Sequence, residues 1–292
     1  MDSLEGLKKK IKTAGDLLSV VKTMKALAAI NIRQFEEAAL SIDEYNRIID
    51  LGWQVLFRYG KSMLHSQTNN LSVFLLLGSD QGMCGRFNDI VIEKAIEKEK
   101  LLTQKGMKVF FWTVGERLLS GLKAEDKKVY QHFKLPDSLH MINEQVERLV
   151  QSFEAVQREQ GIEILYILHN RLAKQKTFEP IIFRILPLDK AWMEKYIKKS
   201  WPGRCLPICG IDRENLFRQL FRQYIFVSFY RAFAQSMACE NAARLKSMQS
   251  AEKNILEMEE NLEAKFRETR QHIITAELLD IIAGFEAIAT KE

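Results

Sequence analysis

The sequence predicts an α/β fold of a particular layout: a long antiparallel coiled coil of the N- and C-terminal helices, with a small α/β (Rossmann-like) domain inserted between them. Three observations predict it. First, neither glycine nor proline occurs from Asp16 to Leu51 or from Ile211 to Ala283, although the chain holds 14 glycines and 5 prolines. Both residues break helices, so such stretches allow very long ones, and Ile211–Ala283 alone would measure roughly 110 Å at 1.5 Å per residue. Second, the apolar residues of both ends follow a repeat near 3.5, the period of a left-handed coiled-coil seam. Third, between the ends short apolar runs alternate with helical stretches, the pattern of a parallel sheet with crossover helices.

Residues 1–60 form the N-terminal shaft helix. Its seam is Leu4, Leu7, Ile11, Ala14, Leu18, Val21, Ala28, Ile32, Phe35, Ala39, Ile42 and Ile49, with Lys25 and Asn46 as misses. Residues 70–190 form the inserted domain. Leu71–Leu77 is a continuous apolar strand ending at Gly78, and Phe87–Gln104 is a helix. Lys108–Val114 is a second strand, followed by a short helix near Glu116–Leu122. Asp137–Gln160 reads as a helix with Asp137 or Ser138 as its N-cap. Ile162–His169 and Phe178–Leu186 are two further strands. Residues 191–210 are a connecting loop. Residues 211–292 form the C-terminal shaft helix, with Leu245, Met248, Ile255, Leu262, Phe266 and Ile273 along its seam and Glu214/Arg218, Glu240/Arg244 and Glu263/Arg267 as supporting pairs on polar faces.

A composition of 47% hydrophobic and 28% charged residues is that of a soluble globular chain. No apolar run approaches the roughly 18–20 residues of a membrane span, and Met1–Lys12 has no signal-peptide h-region. Cys84, Cys205, Cys209 and Cys239 suit a reduced compartment. Cys205 and Cys209 have no nearby soft ligands to complete a zinc site, so no metal is expected. The five histidines have no ligand or triad spacing and read as surface or capping residues. Gly78, Gly82 and Gly85 open a strand-to-helix turn where backbone N–H groups can hold an anion. Their spacing matches neither the dinucleotide fingerprint nor the P-loop, so a plain tight turn is expected and no cofactor. Residues 1–33 carry a net charge of +4, nearly the whole +5 of the chain. No aromatic residues interleave with these lysines as single-strand nucleic acid would require, so an acidic protein partner is expected and no nucleic acid. The segment Ile281–Thr290 has one charged residue in ten, an apolar tip that something must enclose.

Four segments in chain order resemble the gamma subunit of F-type rotary ATP synthases. They are VVKTMKALAAINIR (Val20–Arg33), SDQGMCGRFN (Ser79–Asn88), SMACENAARLKSM (Ser236–Met248) and RQHIITAELLDIIAG (Arg270–Gly284). The resemblance implies a central-stalk subunit that does no chemistry itself. It couples rotation of a membrane ion-driven ring to ATP synthesis or hydrolysis in a ring of alpha and beta subunits. It implies further partners in an epsilon-type subunit and the membrane rotor ring, with no membrane span of its own. The place is the cytoplasmic face of a bacterial or archaeal membrane. By motif, Lys22, Met24, Lys25 and Arg33 would be partner contacts, with Met24 and Lys25, and Lys22 beside them, at an acidic loop of a beta subunit. Arg244, Arg270, Gln271, Thr275 and Glu277 would bridge the helices or meet the ring's catch region. Ile281, Ile282 and Phe285 would turn in the ring's apolar sleeve.

The chain departs from the family pattern at Asp16–Val21, at Ala251–Ile255 and at Phe285, which points to a divergent, second-type rotary ATPase. The residues leave two rival readings: a small nucleotide-dependent α/β enzyme with helical arms, and a structural coiled-coil adaptor.

Overall fold

A computed structural model describes residues 3–58, 70–136, 138–173, 178–188, 190–205 and 210–289. The elements are α1 (Leu4–Arg58), β1 (Leu71–Leu77), α2 (Phe87–Thr103), β2 (Lys108–Val114), α3 (Glu116–Ala124), β3 (Val129–Phe133), a 3-10 turn (Leu139–Met141), α4 (Ile142–Gln160), β4 (Ile164–Leu172), β5 (Phe178–Leu186), α5 (Lys190–Ile197) and α6 (Arg213–Ala289). The chain divides into two units, Met1–Leu27 with Leu245–Glu292, and Ala28–Arg244.

The larger unit holds a five-stranded sheet in the order β3-β2-β1-β4-β5. Its strands are parallel except β5, which pairs antiparallel with β4. All seven residues of β1 are buried because helices cover both faces of the sheet, the condition that permits a continuous apolar run without alternation. Phe74 and Leu76 meet Val91, Ala95, Leu118 and Leu122 of α2 and α3. Val73, Leu75 and Leu77 join a larger core with Val146, Leu149 and Phe153 of α4, Trp53 and Phe57 of α1, and Phe229 and Phe233 of α6. Within this unit α1 and α6 run antiparallel: Asn31 meets Asn241, Asp43 accepts from Arg231 at 2.5 Å, and Tyr45 donates to Gln223 at 2.9 Å. Farther along, Arg213 donates to the Leu56 carbonyl at 3.3 Å.

In the smaller unit the two helix segments also run antiparallel. Lys25 pairs with Glu252, and Gly15 lies over Glu259. One row of the α1 seam, Leu7, Ala14 and Val21, is buried, while Leu4, Ile11, Leu18 and Lys25 are half-buried. Lys25 therefore breaks the apolar repeat at a position where its ammonium reaches both water and Glu252. On α6 a stripe of half-buried or buried positions, Leu245, Met248, Glu252, Ile255, Glu259, Leu262, Phe266 and Thr269, runs at alternating intervals of three and four, with Ser247 and Ala251 half-buried beside it. Two helices sharing a single seam bury only such a stripe.

The structure differs from the expectations at several points. β3 is an additional strand, short and at the sheet edge. α5 occupies part of the expected connecting loop. The helix expected from Asp137 starts as a 3-10 turn before α4; Ser138 is extended and makes no side-chain cap bond, and Asp137 lies outside the described residues. His169 is buried, not a surface residue: it is 3% exposed, its Nδ1 lies 3.0 Å from the Asn170 carbonyl, and burial lowers its pKa to about 4. Glu240/Arg244 is a buried pair, with side chains 6% and 12% exposed, because the turn after β1 covers that face of α6.

Candidate partner-contact surfaces

The turn Ser79–Asn88 spends its polar groups on itself. The Asn88 Oδ1 accepts the Ser79 backbone N–H at 3.0 Å, and its Nδ2 donates to the Ser79 hydroxyl at 2.9 Å. That hydroxyl donates to the Gln81 carbonyl at 2.8 Å and lies 3.6 Å from the Cys84 thiol. Gly78 allows this closure, since a Cβ there would sit 2.3 Å from Leu118 and 2.6 Å from the Asn88 Oδ1. Asp80 Oδ1 accepts the N–H of Glu116 at the start of α3, so the acidic residue of the turn also serves the fold.

The crevice between β1 and β4 is where an open doubly wound sheet receives its ligand. Here Cys84 and Phe87 of the turn pack against Cys239 and Ala243 of α6, with Leu172 and Phe178 beside them. Asn170 closes the floor by donating to the Phe87 carbonyl at 2.7 Å. A helix of the chain thus fills the place a nucleotide takes in that fold. Burial raises the pKa of both Cys84 and Cys239, so these thiols are packing groups. Asn88→Ala is expected to strand the buried Ser79 N–H, at about 1–3 kcal/mol per unsatisfied group. Urea unfolding should show that loss, and an unchanged midpoint would mean the network carries no stability.

The sequence-assigned contact residues fall into three groups. Lys22 is exposed, Met24 is half-buried, and Lys25 is 34% exposed and paired with Glu252 inside the chain. Arg33 is fully at the surface, 2.9 Å from Glu37 one turn away. Arg244 lies against Glu240 at 2.5 Å, and its Nε is buried without a hydrogen-bond partner. Arg270, Gln271 and Glu277 are exposed, as is Thr275, whose hydroxyl donates to the Gln271 carbonyl at 2.9 Å. These four do not bridge to α1 through any bond among the described residues. From Arg270 to Ala283 every residue is exposed, including Ile281 at 64% and Ile282 at 45%. The side chain of Phe285 lies outside the described residues, as does Cys209.

The exposed apolar residues extend beyond those assignments. Leu17, Val20 and Leu27 are each more than half exposed and lie beside Met24 on one side of α1. Ile273, Ile274, Leu278 and Leu279 continue the apolar surface of α6. Ile273, expected on the α6 seam, is instead 39% exposed; the others are apolar residues off the seam period. Among the described residues no group of three or more His, Cys, Asp or Glu converges as a metal site. No described helix is long and apolar enough to cross a membrane.

A family model described as ATP synthase matches residues 3–288. The ATP synthase gamma chain of Lawsonia intracellularis is 28% identical, covering 99% of this chain and all of that one. The gamma chain of Polynucleobacter necessarius is 25% identical, with 99% of this chain and 100% of that one covered. Among solved structures, a chain of the Euglena gracilis mitochondrial ATP synthase OSCP/F1/c-ring assembly superposes with a TM-score of 0.68 at 16% identity, covering 99% of this chain and 96% of that one. A chain of the Tetrahymena thermophila mitochondrial ATP synthase central stalk and c-ring gives 0.55 at 18% identity, covering 80% and 99%. At such identities these two likenesses establish the fold.

Proposed function

The chain belongs to the ATP synthase family, among its gamma chains, and we propose that it works there as a non-catalytic coupling subunit. It is the central-stalk subunit of an F-type rotary ATP synthase, standing between the alpha/beta ring and the membrane rotor ring. The observation that carries the coupling role is the uncovered stretch Arg270–Ala283, in which apolar side chains face outward all round the helix. Free in water, such a stretch is a liability. Inside a ring it is a bearing. The filled crevice between β1 and β4 supports the non-catalytic reading, because the polar groups of the glycine turn are already used.

Coupling needs contacts that differ between rotational states, since a partner shifts an equilibrium only by its differential affinity for the two states. Lys22 and Met24 present such a contact to a beta subunit, and the exposed side chains of Arg270, Gln271, Thr275 and Glu277 present another higher on the shaft. The epsilon-type subunit and the rotor ring meet the α/β unit. The complex is membrane-associated, and the cytoplasmic face of a bacterial or archaeal membrane is the place we assign it. Co-purification with alpha and beta subunits, and the absence of ATP turnover by the chain alone, test the assignment together. Saturable nucleotide binding at the turn after β1 would favour an enzyme.

The Lys25–Glu252 pair sharpens the mutational test. Reversing Lys25 alone sets two carboxylates together inside the shaft and confounds any loss at the partner. Lys22→Glu changes an exposed charge only, and an exposed ion pair contributes about 0–1 kcal/mol. The expected result is normal assembly with reduced synthesis. Lys25→Glu combined with Glu252→Lys restores the internal pair while presenting the reversed charge outward, and should behave likewise. Full synthesis in both variants, measured in membrane vesicles, rules out a coupling role for these lysines.

A further inference from the structure

Glu240 is 4% exposed and sits where the turn after β1 closes over α6. The turn brings Asp80 and Cys84, α6 brings Cys239 and Arg244, and α1 brings the neutral Asn31 by way of Asn241. Arg244 is thus the cation that compensates Glu240, through its Nη2 at 2.5 Å. A guanidinium carries five N–H donors. This one has a buried Nε with no acceptor among the described residues. It is tied at one corner and unsatisfied at another.

We infer that Glu240 is the positioning residue for Arg244: its carboxylate holds the guanidinium back along α6, and on taking a proton from water it releases Arg244 to a carboxylate of the surrounding ring. The inference rests on the reading of Arg244 as a partner-contact residue. Truncating one partner of a buried charge pair leaves the other uncompensated, which is why the two cannot act independently. Burial raises the pKa of Glu240 to about 7, with Asp80 pushing the same way and Arg244 opposing. A raised carboxyl pKa means that the folded state holds its proton longer than the unfolded chain. The associated stability is therefore complete below the ordinary carboxyl range and is lost as pH rises through about 7. The tie forms over that same interval.

The experiment compares Glu240→Gln, Glu240→Asp and Arg244→Gln in the complete complex. ATP synthesis at a fixed ion gradient is read from pH 6.5 to 8.5, above the range in which His169 titrates. Glu240→Gln imitates the protonated form. Its rate relative to wild type should be near 1 at pH 6.5 and differ at least threefold at pH 8.5, while Glu240→Asp stays near 1 throughout. A Glu240→Gln ratio that is constant over pH, whatever its size, overturns the proposal and leaves a structural role. If Arg244→Gln synthesises normally at every pH, the contact reading of Arg244 fails instead. Should Glu240→Gln not assemble, carbon-13 NMR of the Glu240 carboxyl in the full wild-type chain decides: a midpoint between pH 6 and 8 supports the proposal, and one outside that interval overturns it.

Discussion

Trp53→Ala should lower the unfolding free energy of the larger unit by about 3–5 kcal/mol, the range for removing a large aromatic side chain from a packed core. Trp53 is fully buried at the place where α1, α5 and α6 meet. Its ring stacks on Phe57 at 5.5 Å and takes the edges of Trp192, Phe217 and Tyr224 at 5.1, 5.6 and 6.4 Å. Nearby, Tyr196 of α5 donates to Asp50 of α1 at 3.1 Å, so α5 is fastened by rings on one side and a hydrogen bond on the other. Alanine leaves a void lined by four rings on three helices, a site that cannot collapse without moving all three. The indole N–H of Trp53 has no acceptor among the described residues, however. Trp53→Phe removes that unsatisfied donor and keeps one ring, leaving a smaller void, and should cost less than Trp53→Ala. Urea unfolding followed by circular dichroism separates the two variants. Equal losses would mean that the cluster is held by something other than ring packing.

The parts of the fold that repeat were legible in the sequence, and the parts set by neighbours were not. The heptad of α1 can be read because each seventh residue from Leu7 to Val21 is buried against one partner helix. β1 can be read because helices on both faces demand an unbroken apolar run. β3 has only five residues, none of them fully buried, and an edge strand of that kind leaves no alternation to find. The antiparallel direction of β5 is carried by its connection and not by its pattern: β4 ends at Leu172 and β5 begins at Phe178, too short a link for a parallel crossover. α5 follows Pro187 and Leu188 and is only eight residues long. Its helical state is decided by packing of Trp192 and Tyr196 on α1, not by a pattern of its own.

The contact surfaces divide in the same way. The glycine spacing after β1 announced a tight turn, and the turn is there. Nothing in it announced that α6 would lie in the crevice, because Cys239 and Ala243 themselves lie more than 150 residues later in the chain. Glu240 and Arg244 have the spacing of an ordinary surface pair. Only the arrival of a third element makes them buried, and with burial comes a raised proton affinity that spacing cannot encode. The exposed Leu17, Val20 and Leu27 have the opposite history. They are apolar residues that the seam leaves over, and their meaning lies in a partner surface.

Leu262→Pro should open the smaller unit. Leu262 is half-buried on the α6 seam, in the middle of an unbroken helix. Proline there removes the N–H that bonds the carbonyl of Met258 and drives its ring into that carbonyl, at a cost of about 3 kcal/mol or more. The smaller unit has little to set against it. Among the described residues its buried side chains are those of Leu7, Ala14, Val21 and Met248, and the partly exposed Lys25–Glu252 pair is an ion pair between its two helices. The turn of helix around position 262 should therefore fray, and the segment beyond it loses its register against α1. Limited proteolysis should cut between about residues 255 and 270 in the variant and leave wild type intact there. In the complex, assembly and synthesis should fall together, since a broken shaft can neither seat in the ring nor turn within it. Lys22→Glu is the contrasting case, with assembly kept and synthesis reduced. A Leu262→Pro complex that assembles and synthesises ATP at the wild-type rate would show that the segment beyond residue 262 bears no load, and the bearing role of Arg270–Ala283 would fall with it.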